Sequence, residues 1–372
     1  MNLIILKENI KEGLMSLERV VTENSTLPIL KNILIKTESG KVKLSATNLE
    51  IGITATLFGK ILEEGIITVP FKALYDLVIN SDSDRITLET EDNNILKIKG
   101  ENYEAKLQTL NSDEFPIIPK IEQKSHTFEI ETSILKTALS EVVIAAQISE
   151  IRPEISGVLF DFQISLLKFV ATDSFRLAEK TLDHTHFKTN IEQGIKIIIP
   201  LKTVQEIIRI FPESKPITIY LEPQQIMIKN DSLELISRLI DGNYPEYEQI
   251  IPKTAETELI LKKENLVNAL KLVSTFSGKN NDIHLQVKEG SKTLELYSRN
   301  QNLGENNYLI PVKIKGTEVK EVVFNWRYLL DGLKPIKNEN IILTINGTNK
   351  PAILKSPDAT NYFYILMPIK NE

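Results

Sequence analysis

The sequence predicts an α+β protein of three structurally similar domains. Three observations lead there. An amphipathic helix pattern recurs about every 125 residues, a second helix pattern recurs at the same interval, and runs of alternating apolar and polar residues follow each. Each unit therefore reads as helix, strands, helix, strands.

The first helix of each unit is "LKENIKEGLMSLERVV" from Leu6, "IETSILKTALSEVVIAA" from Ile130 and "LKKENLVNALKLVSTFS" from Leu261. In the first, Ile10, Leu14, Leu17 and Val21 share one face. Leu135, Leu139, Val142 and Ala146 do so in the second, and Leu266, Leu270 and Val273 in the third. The second helix is "VPFKALYDLVIN" from Val69, "IPLKTVQEIIRI" from Ile199 and "FNWRYLLDGLKP" from Phe324, each led by a Pro or Asn suited to a helix start. Behind these come the alternating runs "RITLETEDNNILKIKG", "PITIYLEPQQIMIKN" and "IILTINGTNKPAILKS". Two charged, proline-containing, non-periodic stretches, "IPKIEQK" and "IPKTAET", mark linkers. The domains expected are residues 1–121, 124–252 and 256–372.

One short motif has cousins. "ATDSFRLA" at 171–178 combines Asp, Ser and Arg between apolar flanks, in the manner of an active-site fragment. Yet "ATNLEIG" at 46–52 and "YSRNQNLG" at 297–304 occupy the same place in their own units, after a strand-like run. A slot that occurs three times is first of all architecture, and only the second unit puts a guanidinium and a large aromatic there.

Composition excludes several chemistries. The chain has 372 residues, 42% hydrophobic and 25% charged, with formal net charge −6. These are ordinary globular values and do not advertise a nucleic-acid binder as a whole. It has no cysteine, hence no disulfide, thiol nucleophile or thiolate metal site. There is no Gly-rich nucleotide fingerprint. The four histidines are His126, His184, His186 and His284, and "DHTH" at 183–186 reads as a loop rather than a metal site. No cofactor, metal or catalytic residue is expected. The amino-terminal stretch lacks the apolar centre of a signal peptide and no segment approaches a membrane span, so the expectation is a cytoplasmic protein with no membrane partner.

The positive charge is concentrated locally. The six helices together are net basic and the remainder of the chain is acidic. Lys7, Lys11, Lys72, Lys136, Lys202, Arg209, Lys263, Arg327 and Lys334 lie on them and are the candidate DNA contacts. A mildly basic surface holds phosphates weakly and reversibly. A curved array of such units that closes head to tail gives a ring, helices lining the hole and sheets forming the outside.

The ordered set "LPILKNILI" (27–35), "EFPIIP" (114–119), "ISGVLF" (155–160), "ATDSFRLA" (171–178), "DGNYPEYEQIIP" (241–252), "FNWRYLLDGL" (324–333) and "YILMPIK" (364–370) resembles the bacterial DNA sliding clamps, the beta subunits of DNA polymerase III, over essentially the whole chain. The resemblance implies three clamp domains per chain and a head-to-tail homodimer. It implies a non-catalytic ring around duplex DNA, held topologically and without sequence preference. It also implies partners: the replicative polymerase, a clamp-loader ATPase and other clamp-binding repair proteins, each docking a short peptide. By this resemblance the pocket takes Ile155, Thr172, Ser174, Phe175, Arg176 and Leu177 from the second domain. Pro245, Gln249 and Ile250 follow, then Asn325 and Tyr328, and finally Ile365, Met367, Pro368 and Lys370. Leu177, Pro245, Ile250, Met367 and Pro368 would form an apolar floor, with Arg176 a rim charge. Ser174-Phe175 stands where the family often has Gly-His or Gly-Tyr, and Asn24 and Gln249 stand at positions that are often basic. Two other readings stay open at this point: a hydrolase built on Asp173 and Ser174, and a repeat scaffold that binds no DNA.

Overall fold

A computed structural model describes residues 1–21, 27–91, 94–121, 126–287, 290 and 292–370. Asn24 and residues 122–124 of the first expected linker lie outside them. The chain divides into two compact units. The first holds Met1–Ser133, Phe187–Asn190 and Glu206–Leu239, and the second holds Ile134–His186, Ile191–Gln205 and Ile240–Glu372.

Six helices of eight or more residues occur among the described residues: α1 (Lys7–Leu17), α2 (Phe71–Asn80), α3 (Thr132–Val142), α4 (Leu201–Ile210), α5 (Lys263–Val273) and α6 (Trp326–Leu333). They are the six expected. In α1 the buried stripe is Ile10, Gly13, Leu14 and Leu17, and in α5 it is Leu266, Ala269, Leu270 and Val273. Gly13 is there because a Cβ would fall 2.8 Å from a Leu57 methyl. Three helices are shorter than the periodicity suggests. Val21 lies beyond the end of α1, and α3 and α5 pass into single 3-10 turns at Val143–Ala145 and Ser274–Phe276.

The first unit contains a five-stranded and a nine-stranded sheet. The five strands run Lys60–Glu63, Asn2–Leu6, Arg85–Glu91, Ile95–Lys99, Glu104–Gln108. In the nine-stranded sheet, Ile51–Leu57 from the first repeat pairs antiparallel with Leu233–Arg238 from the second, Leu233 opposite Ala55 and Ile236 opposite Gly52. The second unit repeats the device. Arg176–Asp183 of the second repeat pairs antiparallel with Tyr362–Leu366 of the third, Leu177 opposite Ile365, inside another nine-stranded sheet. A four-stranded sheet completes this unit in the order Gly304–Pro311, Thr293–Asn300, Asp282–Val287, Val319–Asn325. Pairing across repeats closes strand edges that would otherwise stand open.

One lock recurs at the start of the first helix of each repeat. Lys7 donates its backbone N–H to Asp84 and its ammonium to the Ser81 carbonyl at 2.5 Å, after α2. Lys263 donates likewise to Glu339 and, at 2.5 Å, to Ile336, after α6. Thr132 at the start of α3 donates its hydroxyl to the Lys215 carbonyl, after α4. Each bond satisfies a carbonyl just past the second helix of its repeat.

Candidate functional site: a partner-peptide face and basic helices

The turn in "ATDSFRLA" and the turn in "ATNLEIG" have the same bonds. In the second repeat, the Thr172 hydroxyl donates to the Arg176 carbonyl at 2.7 Å and accepts from the Ser174 N–H at 3.2 Å. Asp173 Oδ1 accepts from the N–H groups of Phe175 and Arg176 at 2.9 and 3.0 Å. In the first repeat, Thr47 donates to Ile51 and accepts from Leu49, both at 3.0 Å, while Asn48 Oδ1 accepts from Glu50 and Ile51 at 3.0 and 2.8 Å. Leu49 and Ser174, the tips, have φ of 74° and 77°. In the third repeat Asn300 Oδ1 accepts from Asn302 and Leu303 at 3.0 and 3.3 Å. The motif is an architectural turn made with Asx and Thr side chains.

What distinguishes the second copy is Arg176. Its Nε donates to Asp173 at 2.8 Å and its Nη1 to Asp331 on α6 at 2.6 Å, and its guanidinium carbon lies 4.2 Å from the ring centre of Tyr328. Around this node the second unit assembles several chain segments. The Met367 N–H donates to the Phe175 carbonyl and the Ile369 N–H to Val323, each at 2.8 Å, so the carboxy-terminal stretch runs beside the turn. Leu177, Ile365, Leu159, Val170, Ile198 and Tyr247 form one buried cluster, against which Ile240, Tyr244 and Ile251 pack. The Tyr247 hydroxyl donates to Glu179 at 2.6 Å, and burial first, then that bond, push its pKa up. Arg152 donates to the Ser174 hydroxyl at 3.1 Å, extending the face toward residues 149–156. The outer surface offers exposed Phe175 and Ile250, half-buried Met367, Pro245 and Tyr328, and exposed Gln249 and Lys370.

Comparison with known proteins now decides the family. Residues 1–119, 129–246 and 248–370 match, in that order, the N-terminal, central and C-terminal domains of the DNA polymerase III beta subunit. The chain belongs to the DNA polymerase III beta-subunit family, the sliding clamps. A protein of Synechococcus elongatus named beta sliding clamp is 28% identical, the match covering 100% of this chain and 99% of that one. The DNA polymerase sliding clamp of Bacillus subtilis superposes with a TM-score of 0.94 at 25% identity, over 100% of both chains. A sliding clamp from Pseudomonas aeruginosa, bound to griselimycin, does so with 0.93 at 26%, also over 100% of both. The fold is thus that of three beta-clamp domains, and the function is that of a sliding clamp: a non-catalytic processivity factor that tethers replication proteins.

Several expectations within this clamp fold are corrected by its side chains. Arg176 is not a rim charge, since its side chain is 12% exposed and held by two carboxylates. Of the expected floor, Leu177, at 1%, and Pro368 belong to the core, and the expected pocket residues Ile365, at 1%, Ile155, at 4%, and Thr172 are buried too. The Asn325 side chain accepts from the Arg327 N–H and so caps α6. The hydrolase reading loses its parts: Ser174 Oγ is paired with Arg152 and Asp173 with Arg176 and backbone N–H groups. In "DHTH", Asp183 accepts from Thr185 and then from His186, and those bonds hold its carboxyl down at about 2. It is a self-contained turn.

The basic helix residues divide. Lys7 and Lys263 are spent on the locks described above. Arg209 on α4 bonds Glu206 twice, at 2.9 and 2.6 Å, and reaches the carbonyls of Met15 and Ser16 at 2.6 and 3.0 Å, capping the end of α1. This explains where α1 stops. Lys11, Lys72 and Lys334 make exposed intrahelical pairs with Glu8, Asp76 and Asp331. Lys202 and Arg327 are exposed and Lys136 is half-buried. The contributions that sequence reasoning missed are those of Asp331, Tyr247 and Arg152. Their only signal was that a buried Arg or Glu requires a partner.

Proposed function

We propose that this clamp works as a head-to-tail homodimeric ring of domains 1–121, 124–252 and 256–372 per chain, closed around duplex DNA. Its partners are the replicative polymerase, the clamp-loader ATPase and repair proteins, which dock peptides on the face around Phe175, Ile250, Tyr328 and Met367. The observation that carries this reading is the serial match of three beta-subunit domains along the chain. Two open strand edges support the dimer. Glu104–Gln108 ends the five-stranded sheet of the first unit, and Gly304–Pro311 ends the four-stranded sheet of the second. Leu272, Leu303 and Leu309, on or beside the latter, are 56%, 65% and 56% exposed. An open edge flanked by exposed leucines suits pairing with another chain.

The DNA-facing set is Lys202 and Arg327 with Lys11, Lys72, Lys136 and Lys334. No described helix is long and apolar enough to cross a membrane, which accords with work in the cytoplasm. The test is topological. Loaded on nicked circular DNA, the protein should be retained through gel filtration and be lost when the circle is linearised. Equal retention on both forms would sink the ring.

A further inference from the structure

We propose that Asp331 is a positioning residue for the peptide face: together with Asp173 it holds the Arg176 guanidinium inside the wall, so that partner peptides meet an apolar surface and not a free cation. The proposal rests on reading this face as the peptide site.

The guanidinium is held at two of its three nitrogens and on one face. Nε is taken by Asp173 at 2.8 Å, Nη1 by Asp331 at 2.6 Å, and one face is covered by Tyr328 at 4.2 Å. The side chain of Asp173 is 2% exposed and that of Asp331 26%. Two carboxylates facing one guanidinium leave an excess negative charge, which Lys334 balances from 2.7 Å. A carboxylate on an incoming peptide would therefore find Nε and Nη1 engaged and two acids beside them. Charge-assisted, oriented bonds of this kind are roughly twice as strong as neutral ones, which favours the pairs already made.

The tie also fixes shape. Arg176 is the first residue of the strand Arg176–Asp183 and pairs with Leu366, one residue before Met367. Asp331 is on α6, one turn after Tyr328. The Arg176–Asp331 bond thus sets the spacing between α6 and the carboxy-terminal stretch, the two walls that carry Tyr328 and Met367. Specificity would lie in apolar anchors, with any partner acid read elsewhere on the rim.

The test uses the full-length protein and two fluorescein-labelled peptides, the replicative polymerase's carboxy-terminal tail and the same peptide with its acidic side chains made amides. The parent should bind the two within about twofold of each other. Asp331→Ala should weaken the amide form about tenfold and bind the acidic form several times better than the amide, because Nη1 is released. Asp331→Glu should restore the parent's indifference to charge. Loss of fold alone would weaken both peptides equally, and Asp331→Asn, which keeps the shape, serves if the alanine variant does not fold. If Asp331→Ala and Asp331→Asn show no new preference while Met367→Ala loses affinity, the positioning role is wrong. If Met367→Ala binds both peptides like the parent, the peptide-face reading itself fails and takes this proposal with it.

Discussion

Gly332 on α6 lies so close to the ring of Tyr364 that a Cβ there would stand 2.4 Å from Cδ1. Tyr364 is fully buried on the strand Tyr362–Leu366, so its ring has nowhere to go. Helix propensity alone would favour alanine over glycine by about 1 kcal/mol. Overpacking a tight core costs about 1–3 kcal/mol. Gly332→Ala is therefore expected to destabilise by up to about 2 kcal/mol and to displace α6, weakening peptide binding as well. Urea denaturation and peptide anisotropy on the same sample check both. A variant as stable as the parent would mean that α6 can retreat without cost.

Arg209 and Lys202 stand on one helix and are expected to behave in opposite ways. Arg209→Ala leaves Glu206, whose side chain is 7% exposed, without its guanidinium and uncaps α1. The predicted loss is roughly 2–3 kcal/mol, less than for a fully buried pair because Arg209 keeps some exposure. Lys202→Ala should stay within about 0.5 kcal/mol of the parent in stability. If Lys202 meets phosphate, its removal lowers the log–log salt slope of DNA binding by about 0.9. Chemical denaturation and salt titration separate the two, and a salt slope moved by Arg209→Ala in folded protein would return Arg209 to the DNA-contact set.

How much of this was legible beforehand depends on range. The turn chemistry was readable, because Thr47 with Asn48 and Thr172 with Asp173 are residue types that make such turns within a few positions. The starts of α2 and α6 were readable from Pro70 and Asn325 for the same local reason. The pairings that define the site were not. Arg176 finds Asp331 at a separation of 155 residues and Arg209 finds Met15 at 194. An arginine announces that it needs an acceptor but not which one. This is why Arg176 read as a rim charge and Arg209 as a DNA contact. The fusion of sheets across repeats was hidden likewise: periodicity identifies a strand such as Arg176–Asp183 but not its neighbour Tyr362–Leu366.

The four-stranded sheet carries a pH-sensitive cluster. Glu321 accepts from the Tyr297 hydroxyl at 2.5 Å and from His284 Nδ1 at 2.8 Å, and the two rings stack at 4.7 Å, with Asp282 4.0 Å from Nε2. Burial and the bond to Glu321 raise Tyr297 to about 12, while the Tyr297 bond, then His284, hold Glu321 below its ordinary value. A raised phenol contributes stability that is complete below its ordinary pKa of about 10 and is lost as pH climbs through about 12. A depressed carboxyl contributes stability that is complete above about pH 4 and is lost as pH falls through its lower folded value. Glu321→Gln should flatten the acid side of the stability profile and lower the Tyr297 ionisation in part, since burial, the larger cause, remains. Ultraviolet titration, with Tyr297→Phe subtracted, reads the latter. An unchanged midpoint would show that the bond does not set it.

Leu177 and Met367 were both expected in the apolar floor of the peptide site, but the structure assigns them different kinds of loss. Leu177, 1% exposed, packs with Ile365, Val170 and Tyr247, so Leu177→Ala should cost about 2–5 kcal/mol of fold stability before any peptide is added. Met367 is half-buried, and its backbone N–H, which the substitution keeps, is what bonds Phe175. Met367→Ala should therefore leave unfolding within about 1 kcal/mol of the parent while weakening a polymerase-tail peptide by about 1–2 kcal/mol, or roughly fivefold to thirtyfold. Dimerisation, followed by light scattering, should not change in the Met367 variant. Binding that falls in step with stability in both variants would mean that the peptide senses only the integrity of the core, and that Met367 is not one of its anchors.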